Sequence, residues 1–554
     1  MVFNALLDVF SLASFVPLII LLVDPSVIAS NQYISYVYNA FSFSSPSNFV
    51  IALSLCVLIF TLIKNTLSLW ITRSKAAFTF TIGSFLSTRM LGHYLELSYL
   101  KFTQSDFSKE LNRIANIPIA FANNIVMPLA TLVSEGLVFI MLLFCIVIYD
   151  FRVFVFLSVI LVPVAVVYFL KRKSLKQTSY ELKEKYPLTL KYALQVVEGL
   201  IEIKVLGKES FFRDRFASIS QSLSKTFVRD HTTQTGTSRL TEIIAAFIIC
   251  SLIIYSVLLN KNYQQTMLLL GVYAGASFRI IPSLNRMLNA LLQLRTHEFL
   301  FEELDVLRHG TPLAKEQTEA PAVYNSKIEL KNISFSYPDG LRVLDNASLE
   351  INKGDKIALV GRSGSGKTTL LLILLRFLTD HGGKVLLDGN EIEGKDLRGW
   401  KEMFGYVSQS PYIIDGSIME NIALGIPASV IDRGKVKQLI HDLDLEEMIS
   451  QVPEGLDTQV GERGIKLSGG QRQRLAIARA LYADAEILLL DEITNQLDAR
   501  TEQEIIKTLD KVAQQKKTII MITHHHNLLR RFDRVLRLEN GELIEENQPQ
   551  PISH

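Results

Sequence analysis

Cysteine is scarce in this chain of 554 residues: there are 3, Cys56, Cys145 and Cys250. Each sits alone inside an apolar run, which argues against both a disulfide framework and a cysteine metal site. Excess charge is also lacking. A net charge of +2 is too small to point to nucleic acid as a partner. No basic leader precedes the first apolar run, so no cleavable signal peptide is expected. Hydrophobic residues are abundant, at 49%. They crowd into the first half of the chain, and charge crowds into the second. This length exceeds what one core serves, so two or more domains are expected.

Six apolar runs approach or reach the length that crosses a bilayer, near 2–23, 49–71, 126–149, 152–171, 240–259 and 264–288. Soluble helices rarely stay apolar all round for so long. The segment 24–48 holds no Lys or Arg, whereas 72–125 and 172–239 hold many. The positive-inside rule puts both long connections, and both chain ends, in the cytoplasm. The two connections read as helical extensions of the spans, broken around Lys101–Arg113 and Glu198–Phe212. Within 24–48, Ile34, Val37, Tyr38 and Phe41 fall at i, i+3, i+4 and i+7. That pattern fits a short helix in the outer interface, with an exposed loop as the other reading. Residues 309–326 hold Gly310, Pro312 and Pro321 without apolar period and read as a linker. The expected division is therefore a transmembrane domain at 1–308, the linker, and an α/β domain at 327–554.

The second domain is organised around Gly361-Arg-Ser-Gly-Ser-Gly-Lys-Thr-Thr369, which fits G-x4-G-K-[ST], the P-loop. Glycines let successive N–H groups turn into one concave nest, and the following helix aims its positive end there. Gly361, Ser363, Gly364, Ser365, Gly366, Lys367, Thr368 and Thr369 are the expected ATP-phosphate ligands. Lys367 faces the β- and γ-phosphates, and the Thr368 hydroxyl faces Mg²⁺. The apolar run Ile487–Leu490 ends in two carboxylates. Asp491 is expected to hold Mg²⁺ and Glu492 to polarise the attacking water. Ser468 and Gln471 form an S-x-x-Q capping box around Gly469 and Gly470, a second anion site at a helix start.

With that motif the chain resembles the ATP-binding cassette superfamily along its whole length. The implied fold is a six-helix transmembrane domain with long cytoplasmic helix extensions, followed by an α/β P-loop ATPase (ABC) domain. The resemblance makes Leu467–Gln471 the signature motif, Tyr337 the residue stacked on adenine, and Gln409 a sensor of Mg²⁺ and water. It makes His524 the histidine contacting the γ-phosphate. A metal-binding cluster of His524, His525 and His526 is the rival reading. Asn495-Gln-Leu-Asp498 lies where the dimer-contact loop is expected, with Asn495 and Gln496 replacing the usual small residues. Thr458–Gly464 resembles the exporter-specific loop that touches the partner's cytoplasmic helices. In such cassettes each ATP lies between the P-loop of one and the signature of another. A chain with one cassette is thus expected to pair with a second copy of itself.

Charge at membrane depth is the clue to cargo. Arg279 and Arg286 lie seven apart on one face of the last span, with Ser283 between them and Pro282 expected to kink the helix. Arg239 begins the fifth span, and Glu135 lies inside the third. The arginines either line a cavity for an anionic headgroup, or snorkel to the inner headgroups or pair with Glu135. Arg279-Ile-Ile-Pro-Ser-Leu-Asn-Arg286, Lys101-Phe-Thr-Gln104 and Ser134-Glu135 resemble the bacterial lipid-linked oligosaccharide flippases of protein glycosylation. That resemblance implies a multi-pass protein of the inner (cytoplasmic) membrane with its nucleotide-binding domain in the cytoplasm. Its partners would be membrane lipids and a lipid-linked anionic substrate. An exporter of drugs, peptides or another lipid is the alternative, and an ATP-gated channel a third.

Overall fold

The computed structural model describes residues 6–7, 10–11, 14–23, 26–149, 151–258, 263–308, 323–392, 397–443, 445–494 and 497–546. The chain forms two compact units. One is Met1–Leu97 with Gln104–Leu313, and the other is Ser98–Thr103 with Ala314–His554.

The first unit is helical. Ser45 accepts a hydrogen bond from the Asn48 N–H at 3.3 Å, and Pro46 occupies the first turn, where no backbone donor is needed. From that cap the helix Pro46–Leu95 runs 50 residues, about 75 Å at the usual rise. A bilayer core is about 30 Å, so the sequence continues as helix well past its apolar part. The same holds for Phe151–Glu198 and Glu209–Leu258. Breaks fall near Ser98 and Ser105 in one connection and at Gly199 and Leu206–Lys208 in the other. Among the described residues, Pro46–Leu95 and Ile117–Phe144 are long and apolar enough to cross a membrane. The other four runs fall partly on residues outside the described side chains. The helix Tyr263–Thr296 continues through Pro282.

Within 24–48 the described residues include the helices Val27–Ser30 and Gln32–Ala40. Asn31 caps Gln32–Ala40 by accepting from the Tyr33 and Ile34 N–H groups. Ile34 and Tyr38 pack on Leu21, Ile28 and Phe49, while Val37 and Phe41 of the same apolar set stay exposed. Deeper in the chain, a π-helical turn at Ala122–Val126 leads into the helix Met127–Tyr149. Gly83 sits against it: a Cβ there would lie 3.0 Å from Ala122 Cβ. Glu181 ties two long helices together, taking Lys185 at 2.7 Å, the Thr226 hydroxyl at 2.8 Å and Arg229 at 2.8 Å. The Lys185 ammonium leads these partners in holding its carboxyl down to about 2.

The second unit is an α/β domain with two sheets. Strands β1 (Lys327–Ser336), β2 (Arg342–Asn352), β4 (Gly382–Leu387) and β5 (Asn390–Glu391) form an antiparallel sheet in the order β2-β1-β4-β5. The other sheet holds β3 (Lys356–Val360), β6 (Phe404–Val407), β7 (Ile487–Asp491), β8 (Thr518–Ile522), β9 (Arg534–Glu539) and β10 (Glu542–Glu546). Their order is β10-β9-β3-β8-β7-β6. All its pairings are parallel except β9–β10. Strands β7 and β8 are buried at every residue, as a parallel sheet covered on both faces requires. One core packs the helices Arg433–Asp442, Gly469–Tyr482 and Ala499–Gln514 on one face. The other joins the helix Lys367–Leu374 to the antiparallel sheet, and Tyr99 and Leu100 pack against it. Asp388 closes the β4–β5 turn. Its carboxylate accepts the N–H groups of Asn325, Ser326 and Lys327 at 2.8–2.9 Å, which fixes where the chain enters β1.

Candidate functional site

Ligands of open α/β sheets gather at the carboxyl ends of the parallel strands. Here four neighbouring strands, β3, β8, β7 and β6, deliver the expected residues to that end. After β3 the chain enters the glycine loop. Gly366 has φ +104°, and a Cβ there would lie 2.5 Å from Val343 Cγ1. At Gly361 a Cβ would lie 2.6 Å from the Leu538 carbonyl oxygen. Both positions need glycine for the loop to curl. Lys367 is buried, and its ammonium donates to the carbonyls of Gly361 at 2.9 Å and Arg362 at 3.0 Å. Burial pushes its pKa below the ordinary lysine value, with Glu492 and Asp491 opposing. An anion over the loop would favour the charged form. The Ser365 hydroxyl is buried without a protein partner, an unmet polar group in the cradle. A cavity of about 620 Å³ opens beside Gly361–Ser365, bounded by residues 341–345 and 537–541.

Asp491 ends β7, and its Oδ2 lies 3.5 Å from Thr368 Oγ1. A carboxylate and a hydroxyl converging in this way are the hard oxygen ligands that suit Mg²⁺. Burial raises the Asp491 pKa, while hydrogen bonds from Tyr406 and Thr368 pull it back. A divalent cation would favour the charged form. Glu492 follows in the left-handed region at φ +50°, a strained setting for a side chain. Its N–H donates to the Ile522 carbonyl at 3.2 Å. His524 comes two residues after the end of β8, and its Nε2 lies 3.2 Å from Glu492 Oε1. His525 instead faces Glu502, with its Nδ1 3.2 Å away. The side chain of His526 lies outside the described set. Among the described residues, no group of three or more His, Cys, Asp or Glu gathers as a metal site.

Tyr337 sits at the end of β1 with its ring edge-on to Phe335, and its hydroxyl lies 3.2 Å from Thr369 Oγ1. Gln409 follows β6 in an exposed loop, and its carbonyl accepts from Gln473 Nε2 at 2.7 Å. At the signature, Ser468 Oγ accepts from the Gln471 N–H at 3.2 Å, and Gln471 Oε1 accepts from the Ser468 N–H at 2.8 Å. Gly469 in the first turn stays partly exposed, whereas Gly470 is buried. Gly470 lies so close to the next helix that a Cβ would meet Thr501 Cγ2 at 2.0 Å. Asn495 and Gln496 lie outside the described residues. Asp498 caps the helix Ala499–Gln514 through the N–H groups of Arg500 and Thr501.

In the first unit, Arg286 Nε donates to Glu135 Oε1 at 2.7 Å, and its Nη2 donates to Oε2 at 3.1 Å. Ser283 adds a hydrogen bond to Oε2 at 2.7 Å. Pairing with Glu135, one of the roles the sequence leaves open, is therefore present. Arg239 is exposed and paired with Glu242 one turn along its own helix. The side chain of Arg279 lies outside the described set. Lys75, Tyr99 and Tyr406 escape the sequence reading. Lys75 Nζ donates to Thr131 Oγ1 at 2.8 Å, beside Glu135 and Arg286. The Tyr406 hydroxyl donates to Asp491 Oδ2 at 3.2 Å. Burial first, and then the carboxylate, push that phenol well above its ordinary pKa. Its only sequence signal is its place three residues before Gln409.

A P-loop, a strand-end carboxylate pair, a histidine after the next strand and a capped glycine signature in one α/β domain define an ATP-binding cassette. Comparison with known proteins agrees. Residues 344–495 match the family model described as ABC transporter. An ATP-dependent lipid A-core flippase of Photobacterium profundum is 30% identical over 82% of this chain and 78% of its own length. A protein of that name from Pseudomonas fluorescens is 32% identical over 74% of this chain and 68% of its own length. A solved bacterial Atm1-family ABC exporter with ATP bound has the same fold, with TM-score 0.78 and 22% identity over 98% of this chain and 94% of that one. The chain belongs to the ABC transporters and has the exporter fold. It is a membrane protein that couples ATP hydrolysis in a cytoplasmic domain to transport.

Proposed function

We propose that two copies of this chain form a homodimeric flippase that moves an anionic lipid, with a lipid-linked oligosaccharide as cargo, across the inner membrane. The domains would be the spans at 1–308, the linker at 309–326 and the cassette at 327–554. The observation that carries the anionic reading is the cluster of Lys75, Glu135 and Arg286. Arg286 binds Glu135, and Lys75 lies within electrostatic reach of both, on three helices; Glu135 and Arg286 fall inside apolar runs, where charge is costly and usually functional. Arg286 is 42% exposed on its side chain despite the pair, so its guanidinium still has donors to offer a phosphate. Arg279 and Arg239 are the further candidates. Relatives named for flipping lipid A-core support a lipid cargo over a drug or peptide.

In the cassette, Gly361–Thr369 would cradle the phosphates, Tyr337 would stack on adenine, and Thr368, Gln409 and Asp491 would hold Mg²⁺. Bound Mg²⁺ supplies charge neutralisation at the β- and γ-oxygens. Glu492 would take the proton of the attacking water, and His524 would leave Glu492 to contact the γ-phosphate. Ser468, Gly469, Gly470 and Gln471 would close on the nucleotide of the other copy through the helix start.

The test is transport by purified protein in proteoliposomes. Fluorescent polyprenyl-diphosphate oligosaccharide, lipid A-core and a cationic dye are offered separately with ATP. Flipping of the polyprenyl-linked glycan above the others is expected. Transport of the dye alone would overturn the anionic-lipid reading.

A further inference from the structure

We infer that Tyr406 is a positioning residue for the metal-binding carboxylate: its hydroxyl fixes the orientation of Asp491 and thereby sets how tightly the site takes its divalent cation. This rests on the reading of Thr368 and Asp491 as ligands of that cation.

The placement follows from strand register. On β6 the residues Phe404, Gly405 and Val407 are buried. Gly405 has no space for a side chain, since a Cβ would lie 2.5 Å from Ala480 Cβ. Tyr406 is the one residue of this strand that is not buried, with 40% of its surface exposed. Packing alone therefore gives little reason for a large aromatic residue there. Tyr406 pairs in parallel register with Leu489 of β7. Residues two apart on a strand share a face, so Tyr406 stands on the same face as Leu489 and Asp491. A shorter side chain would end beside Leu489. The phenol extends one step further and places its hydroxyl 3.2 Å from Asp491 Oδ2.

That oxygen is also the one that Thr368 Oγ1 approaches, at 3.5 Å. The terminal torsion of an aspartate is broad, so a carboxylate at the end of a strand does not choose its plane unaided. A hydroxyl donor on one lone pair of Oδ2 chooses it, while the remaining lone pairs stay open to a cation. Groups that hold a metal ligand from behind commonly cost 10–100-fold in metal affinity or activity when removed. Tyr99 provides an internal comparison. Its phenol lies within electrostatic reach of both Tyr406 and Asp491, and its ring packs on Phe377 with centroids 6.1 Å apart. It is thus a neighbouring phenol of the same kind.

The experiment measures equilibrium binding of a fluorescent ATP analogue to the full-length protein, first in EDTA and then with increasing Mn²⁺ as the probe cation. The readout is the gain in nucleotide affinity that the cation brings. In Tyr406→Phe the ring is kept and the donor lost. The gain is expected to shrink about 10-fold, with affinity in EDTA unchanged because the phosphate loop is intact. Tyr99→Phe should keep the full gain. An undiminished gain in Tyr406→Phe overturns the inference, as does an equal loss in EDTA or an equal loss in Tyr99→Phe. Absence of any cation-dependent gain in the unmodified protein would instead overturn the metal reading of Thr368 and Asp491.

Discussion

Arg286 grips Glu135 through two nitrogens, Nε to one carboxylate oxygen at 2.7 Å and Nη2 to the other at 3.1 Å, across two helices that are 151 residues apart in sequence. Glu135 keeps only 13% of its side chain exposed. Arg286→Ala therefore leaves an uncompensated carboxylate. We expect about 1–3 kcal/mol of lost stability, below the usual figure for a fully buried pair because the arginine is partly solvated. Arg286→Ala with Glu135→Gln should recover most of the melting temperature. If Arg286 also serves the cargo, flipping stays low in that double variant while basal ATPase persists. Recovery of both would reduce the pair to a structural brace.

Glu492→Gln should lower ATP turnover at least about 100-fold, the scale of a lost general base. Nucleotide binding should survive, because Lys367, Thr368 and Asp491 are untouched. Steady-state hydrolysis by the purified variant, together with trapped nucleotide per chain, reads both. Near-normal hydrolysis would remove Glu492 from the base role.

Gly470→Ala should damage the signature by crowding. The new methyl would lie 2.0 Å from Thr501 Cγ2, and overpacking of this kind costs about 1–3 kcal/mol. Thr501→Ala removes the clashing methyl, so the pair Gly470→Ala with Thr501→Ala should regain part of the loss. Thermal melting and ATPase measured side by side decide this. A double variant no better than Gly470→Ala would show that the glycine is needed for its bare backbone instead.

Asp388 carries a pH signature. Burial opposes its charge, but three backbone N–H groups outweigh that and bring its pKa down to about 2 from the ordinary 3.8. A depressed acid pKa stabilises the fold above the unfolded value and loses that benefit as pH falls through the folded one. Asp388→Asn should thus cost about 1–2 kcal/mol at pH 7, with a smaller gap from the parent at pH 3. Melting curves at the two pH values check the direction. A gap that widens in acid would contradict it.

The cassette was legible because its chemistry is written locally. A glycine loop must follow a strand and open a helix, and Lys356–Val360 and Lys367–Leu374 do flank Gly361 in that way. Long helices were legible from apolar runs continuing into charged ones, as in Pro46–Leu95. Contacts between segments distant in sequence were not. Tyr406 meets Asp491 across 85 residues, and Lys75 meets Thr131 across 56. Neither leaves a periodic or compositional trace. The grouping of Ser98–Thr103 with the second unit is equally silent, because a short helix with two aromatic anchors reads like any hairpin tip. The register of the His524 run had to be chosen from the strand end alone, whereas the structure sets His524 on Glu492 and His525 on Glu502.

The unbroken helix Pro46–Leu95 makes the membrane unit sensitive to phase. Phe49 and Val57 are buried in its first half, and Thr79, Gly83 and Met90 in its second half. Because the rod has no internal joint, these two sets keep a fixed angular relation. Adding one residue between Val57 and Thr79 would rotate one half against the other by about 100° and lengthen the rod by about 1.5 Å. Gly83 would then swing away from Ala122. Adding seven would nearly restore the angle, leaving only about 20° of drift. Length variation in this stretch should therefore be tolerated in whole heptads long before it is tolerated one residue at a time.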